Sequence, residues 1–219
     1  MPKVVIVGDE CVGKSCLIVT HSTGSFPYDR IPIILSVSSE CADENGENRT
    51  EIIFYDTFGA QEFDYARHFL YAGADAFLIC FSVVDHQSFQ SVLTRWYPEV
   101  KKNSPNTPII LIGLKSDLTY STSVTHDQGL SMANSIGAIG YLECSAIAKT
   151  GFSELNKLLN SITKRPHPNR SSTSMSIELA ETPITSSVGL GNWVMAIILL
   201  SLVAIVLFCA GYFKKTQTQ

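Results

Sequence analysis

The chain has 219 residues, 45% hydrophobic and 16% charged, with a formal net charge of −4. That length holds one α/β domain of ordinary size plus further segments. The mild acidity excludes the electrostatic footprint of a nucleic-acid-binding protein, and six cysteines without CxxC or Cys/His spacing exclude a zinc module.

In chain order, the first element is KVVIVG (3–8), a continuous apolar run that predicts a buried strand. It passes directly into GDECVGKS, and a helix is expected after Lys14. The run is too short for a signal peptide, so the domain is expected to fold in the cytosol, with free thiols. EIIFYDT (51–57) predicts a second strand. Asn45-Gly46 before it is a hairpin signal, which predicts antiparallel pairing of roughly 34–41 with 51–57. AFLICFSV (76–83), PIILIGLK (108–115) and GYLECSA (140–146) complete the strands, with helices following Asp85, Thr125 and Thr150. In the last helix Phe152, Leu155, Leu158, Leu159 and Ile162 recur at helical spacing and read as core. The alternation predicts an α/β fold, a mostly parallel six-stranded sheet with helices on both faces, over residues 1–165.

Beyond it, 166–192 is rich in Ser, Thr and Pro without apolar periodicity, the composition of a flexible linker. Such a linker has an r.m.s. reach of roughly 30 Å. Residues 193–213, WVMAIILLSLVAIVLFCAGYF, carry no Asp, Glu, Lys or Arg. As a helix they span roughly 31 Å, enough for a bilayer core. With only KKTQTQ (214–219) after them, they are expected to form a transmembrane tail anchor holding the domain at the cytosolic side of a membrane.

Gly8-x4-Gly13-Lys14-Ser15 sits between a strand and a helix, the setting in which this pattern cradles phosphates. Backbone N–H groups of Glu10, Cys11, Val12, Gly13, Lys14 and Ser15 face phosphate oxygens at a helix N-terminus. Lys14 supplies a point charge, and the Ser15 hydroxyl can ligate Mg²⁺. Asp56-Thr57-Phe58-Gly59 adds a carboxylate near the metal and a glycine N–H for a terminal phosphate. Lys115-Ser116-Asp117 offers a carboxylate to the N1–H and N2–H₂ edge of guanine, and Cys144-Ser145-Ala146 adds backbone donors for O6. All stand at C-terminal ends of strands, where open α/β sheets bind ligands.

On these elements, and on FYDTFGAQEFDYARHFLYAGADAFLICFS, RWYPEVKKNSPNTPIILIGLKSDL and MANSIGAIGYLECSA, residues 2–163 resemble the Ras-like small GTPases, specifically the Rho branch. The resemblance implies GTP or GDP with Mg²⁺, and effector and regulator proteins as partners, effectors reading roughly residues 27–37 and 59–71. It implies a nucleotide site comprising Glu10 to Cys16, Phe26 against the base, Asp56, Gly59, Lys115 flanking the base, Asp117, Leu118, Ser145 and Ala146, with Ser15 and, indirectly, Asp56 at the metal. The helical insert of the Rho branch is missing, since only TYSTS separates Leu118 from Val124, and with QTQ at its end the chain is expected to lack the prenylation box.

The departures fall on hydrolysis and sensing. Glu10 stands where the family has a glycine facing the γ-phosphate, and Ala60 where a glutamine orients water, with Gln61 one position late. Ile33 replaces a metal-ligating threonine, and Leu114 the asparagine of the guanine element. No catalytic residue is therefore intact. Three readings follow: a GTP-binding protein that hydrolyses slowly or not at all, a nucleotide-independent tethered interaction module, and a P-loop ATPase. Asp117 opposes the third, because its carboxylate would repel the N1 lone pair of adenine.

Overall fold

A computed structural model describes residues 1–28, 36–42, 49–120 and 123–163. The chain runs β1 (Lys3–Val7), α1 (Lys14–Thr23), β2 (Ser36–Ala42), β3 (Arg49–Asp56), α2 (Asp64–Tyr71), β4 (Ala76–Ser82) and α3 (His86–Ser91). A π-helical turn (Val92–Trp96), α4 (Tyr97–Asn103), β5 (Ile109–Leu114), α5 (His126–Ser135), β6 (Gly140–Cys144) and α6 (Phe152–Thr163) follow. Among the described residues no helix is long and apolar enough to cross a membrane. The expected anchor at 193–213, the linker and Asn45-Gly46 lie outside the described residues.

The sheet has six strands in the order β2-β3-β1-β4-β5-β6. All pairings are parallel except β2 with β3, where Ser36 opposes Tyr55 and Ala42 opposes Arg49. The expected antiparallel pairing of these two strands is thus present. β4 and β5 are buried along their whole length, the reason they read as unbroken apolar runs. One face of the sheet packs against Leu17 and Ile18 of α1 and Leu155, Leu159 and Ile162 of α6. The other packs against Tyr71, Val92, Trp96, Val100, Ala133 and Ile136.

His21 ties three elements on the first face. Its Nε2–H donates to the Asn156 side-chain carbonyl of α6 at 2.7 Å, and its Nδ1 accepts from the Ser39 hydroxyl of β2 at 2.7 Å. Phe54 and Phe152 meet the ring edge-on, and burial lowers the imidazole pKa although Asn156 opposes this.

Two elements differ from expectation. α2 falls where the sequence predicts no helix, and its pattern is mixed: Arg67 is buried beside Tyr71 while Tyr65 and Phe69 are exposed. The helix after Asp85 contains the π turn at Val92–Trp96, a shift in backbone hydrogen bonding that side-chain periodicity does not reveal. Asp85 caps that helix, its carboxylate accepting from the N–H groups of Gln87 and Ser88.

Candidate functional site

The loop between β1 and α1 is shaped by its contacts. Gly8 has φ +150°, and a Cβ there would lie 2.2 Å from the Cys80 carbonyl oxygen of β4, so no larger residue fits. Cys11 adopts φ 57° without being glycine, a conformation held by its surroundings. Gly13 precedes α1 with φ 112° and no side chain caps the helix, leaving the first-turn N–H groups to whatever the loop encloses.

Lys14 is 7% exposed, and its Nζ donates to Gly8 O at 2.8 Å and Asp9 O at 2.7 Å. Burial lowers its pKa against the opposing pull of Asp56, Cys80, Asp9 and Glu10. The Ser15 hydroxyl donates to Asp56 Oδ2. Asp56, also 7% exposed, keeps Oδ1 buried with no hydrogen-bond partner among the described residues. Burial raises its pKa despite Ser15, Lys14 and the Thr57 amide. A desolvated carboxylate oxygen without a donor is costly, and a hard cation beside it removes the cost. Among the described residues no group of three or more His, Cys, Asp or Glu surrounds the position. A cation held by Ser15 and Asp56 would therefore take its other ligands from phosphate oxygens and water, the habit of Mg²⁺. The residues present fit a magnesium-bound phosphate ester.

Gly59 lies against the loop: a Cβ there would come within 2.5 Å of Glu10 N, 2.6 Å of Asp9 C and 2.7 Å of Gly8 O. Ala60 is half-buried, and Gln61 opens a 3-10 turn, Gln61–Phe63. Glu10 and Cys11 are exposed at the mouth, Val12 is buried beneath, and Cys16 is half-buried with its thiol pKa raised by burial against Lys115. Ile33 lies outside the described residues.

The opposite side is built from β5 and β6. Lys115, at φ 61°, donates from Nζ to Cys11 O at 2.7 Å, which joins the two halves. Asp117 Oδ1 accepts from the Ser145 hydroxyl at 2.5 Å, and Ser145 Oγ accepts from Ala148 N at 2.9 Å. Ser145 N–H donates to Thr150 O at 3.2 Å. The Ser145 amide, expected as a donor to the base, is engaged with Thr150, while the Ser145 hydroxyl orients Asp117. Leu114 is buried in the core and its side chain faces Gly13, giving the loop an apolar floor where the resembled GTPases carry an asparagine. Phe26 is half-buried with its ring 5.1 Å from Tyr28, and Leu118 ends a 3-10 turn, 42% exposed.

Asp9 is a participant that sequence reasoning passed over. Its Oδ1 accepts from Trp96 Nε1 at 2.8 Å and lies 3.9 Å from Arg95. The run RWYPEV carries both partners, but a separation of 87 residues hides the contact.

A glycine-lined loop at a helix N-terminus, a buried lysine and a serine–aspartate pair define a phosphate-loop nucleotide-binding protein. A model of the Ras family matches residues 3–164, and the chain belongs to that family. It is a small GTP-binding protein; members of the family bind guanine nucleotide with Mg²⁺ and act through regulators and effectors.

Proposed function

We propose that this is a Rho-type, membrane-anchored GTP-binding protein that retains GTP and Mg²⁺ and hydrolyses the nucleotide slowly or not at all. The observation that carries retention is the buried Ser15–Asp56 pair with its unpartnered oxygen beside Lys14, an arrangement that favours a bound cation. Asp117, oriented by Ser145, supplies the acceptor for the guanine edge. When bound, Mg²⁺ would neutralise phosphate charge; Lys14 would hold the phosphates and the loop amides would orient them.

The hydrolytic parts are weaker. Ala60 has no side-chain group to orient a water. The exposed Glu10 carboxylate is one of the charges that oppose the burial-driven lowering of the Lys14 pKa, and it adds negative charge near a site where a reacting phosphate gains more. A Glu10→Gly, Ala60→Gln double variant is expected to hydrolyse GTP about a hundredfold faster than wild type in single-turnover assays. An unchanged rate would move the block elsewhere, and fast wild-type hydrolysis would refute it. Finding neither bound guanine nucleotide nor thermal stabilisation by GTP with Mg²⁺ would sink the binding proposal. It would favour the nucleotide-independent module, for which the apolar Leu114 floor is the supporting observation.

The Rho assignment rests on the quoted segments. The short path from the 3-10 turn Ser116–Leu118 to α5 at His126 fits a Rho domain without its insert. Anchoring rests on the composition of 193–213. Deleting 193–219 is expected to move the protein from the membrane pellet to the soluble fraction; retention in the pellet would require another attachment.

A further inference from the structure

Arg67 of α2 is 2% exposed, one of the largest fully buried side chains. Its Nη1 donates to Phe58 O at 2.7 Å and to Ala60 O at 3.4 Å, the two carbonyls on either side of Gly59. Nε and Nη2 fork onto the two Glu99 oxygens of α4 at 2.8 and 3.0 Å, and Nη2 also donates to Asp64. Tyr71 hydroxyl donates to the same Glu99 carboxylate at 2.5 Å. The guanidinium lies 4.8 Å from the Trp96 ring, whose N–H holds Asp9 in the phosphate loop. Burial disfavours the charge, but Glu99, Tyr71 and Asp64 outweigh it and raise the Arg67 pKa, so the guanidinium is a fixed cation.

One buried group thus sets the loop after β3 and, through Trp96, touches the support of the phosphate loop. The orientation of one peptide follows. In a trans peptide the carbonyl and the next N–H point to opposite sides. With the Phe58 carbonyl drawn to Arg67, the Gly59 N–H points away from it, while Gly59 itself rests on the backbone of Asp9 and Glu10.

We propose that Arg67 is a positioning residue for terminal-phosphate recognition: it fixes the Phe58–Gly59 peptide so that the Gly59 N–H is presented to the third phosphate. It thereby sets the preference for a nucleoside triphosphate over a diphosphate. This rests on the guanine-nucleotide binding proposed above. Buried ion pairs often have a structural role, and loss of such a role weakens both nucleotides together. A positioning role weakens only the one that reaches Gly59.

The test uses the full-length protein in detergent with Mg²⁺, titrated with GDP and with a non-hydrolysable GTP analogue. Arg67→Lys keeps the charge but cannot grip Glu99 with a fork while a further nitrogen reaches the Phe58 and Ala60 carbonyls. It is expected to lower analogue affinity about tenfold, the scale of one hydrogen bond involving a charged group, and to leave GDP affinity unchanged. Glu99→Gln, which loosens the fork without emptying the site, is expected to shift the ratio in the same direction by less, and it carries the test if Arg67→Lys does not fold. Equal losses for both nucleotides, or an unaltered ratio in both variants, would overturn the inference while leaving nucleotide binding intact. Failure of the wild type to bind either nucleotide would overturn both proposals.

Discussion

Replacing Lys14 with methionine is expected to lower affinity for GDP and GTP by about a thousandfold or more. The ammonium is the buried positive charge at the loop, and it donates two of its three N–H groups to the Gly8 and Asp9 carbonyls. Around it stand Asp56, Asp9 and Glu10, which all act on its protonation. Without the lysine, an incoming polyphosphate meets three carboxylates and only backbone dipoles in its favour. One charge-assisted hydrogen bond at about 2 kcal/mol and the lost Coulomb attraction between a buried cation and the phosphates, of about the same size, account for the expected loss. Methionine fills much of the same volume, so melting of the nucleotide-free protein serves as the control for folding. Fluorescent-nucleotide titration gives the affinity. A loss smaller than about tenfold would mean that phosphate is held chiefly by the amides.

Asp56→Asn is expected to act in opposite directions on the free and bound protein. In the nucleotide-free fold, burial holds the Asp56 pKa above its ordinary 3.8, so the folded state binds the proton more tightly than the unfolded chain. Stability of the free protein therefore falls as pH rises from 3.8 through the raised value, and the cost persists at neutral pH. Asparagine removes the ionisation: the variant should melt higher than wild type at pH 7, and this acid-side pH dependence should flatten. With nucleotide, the dependence of affinity on Mg²⁺ should drop about a hundredfold, because an amide cannot fix a metal or its water as a carboxylate does. Melting curves across pH, with and without GTP and Mg²⁺, separate the two effects. Full magnesium stabilisation in the variant would place the cation elsewhere.

Most of the scaffold was legible because its physics is local or periodic. β1, β4 and β5 lie deep in the sheet and read as apolar runs, and the glycines of the phosphate loop mark a backbone that admits no side chain at Gly8. Lys14, Ser15, Asp56, Asp117 and Ser145 were expected at one site, and the fold brings Ser15 to Asp56 and Ser145 to Asp117. What stayed hidden depends on contacts between distant segments. α2 escaped notice because a buried arginine and exposed aromatics blur the pattern on which helix reading relies. The Asp9–Trp96 bond joins the residues after β1 to the last residue of the π turn, and nothing in either segment announces its partner. The Leu114 substitution was visible, but its replacement of polar tethering by an apolar floor under Gly13 was not.

The strand order has a consequence for how such a site fails. β1 is hydrogen-bonded on one side to β3 and on the other to β4, and its last four residues are fully buried or nearly so. Its amides can exchange with solvent only when the sheet itself comes apart, at the high end of the protein's opening free energies. The phosphate loop springs from that strand, whereas β2 is a sheet edge paired only with β3. Local unfolding at the rim can therefore come and go while the root of the cradle keeps its shape, so losing a ligand and losing the fold are separate events.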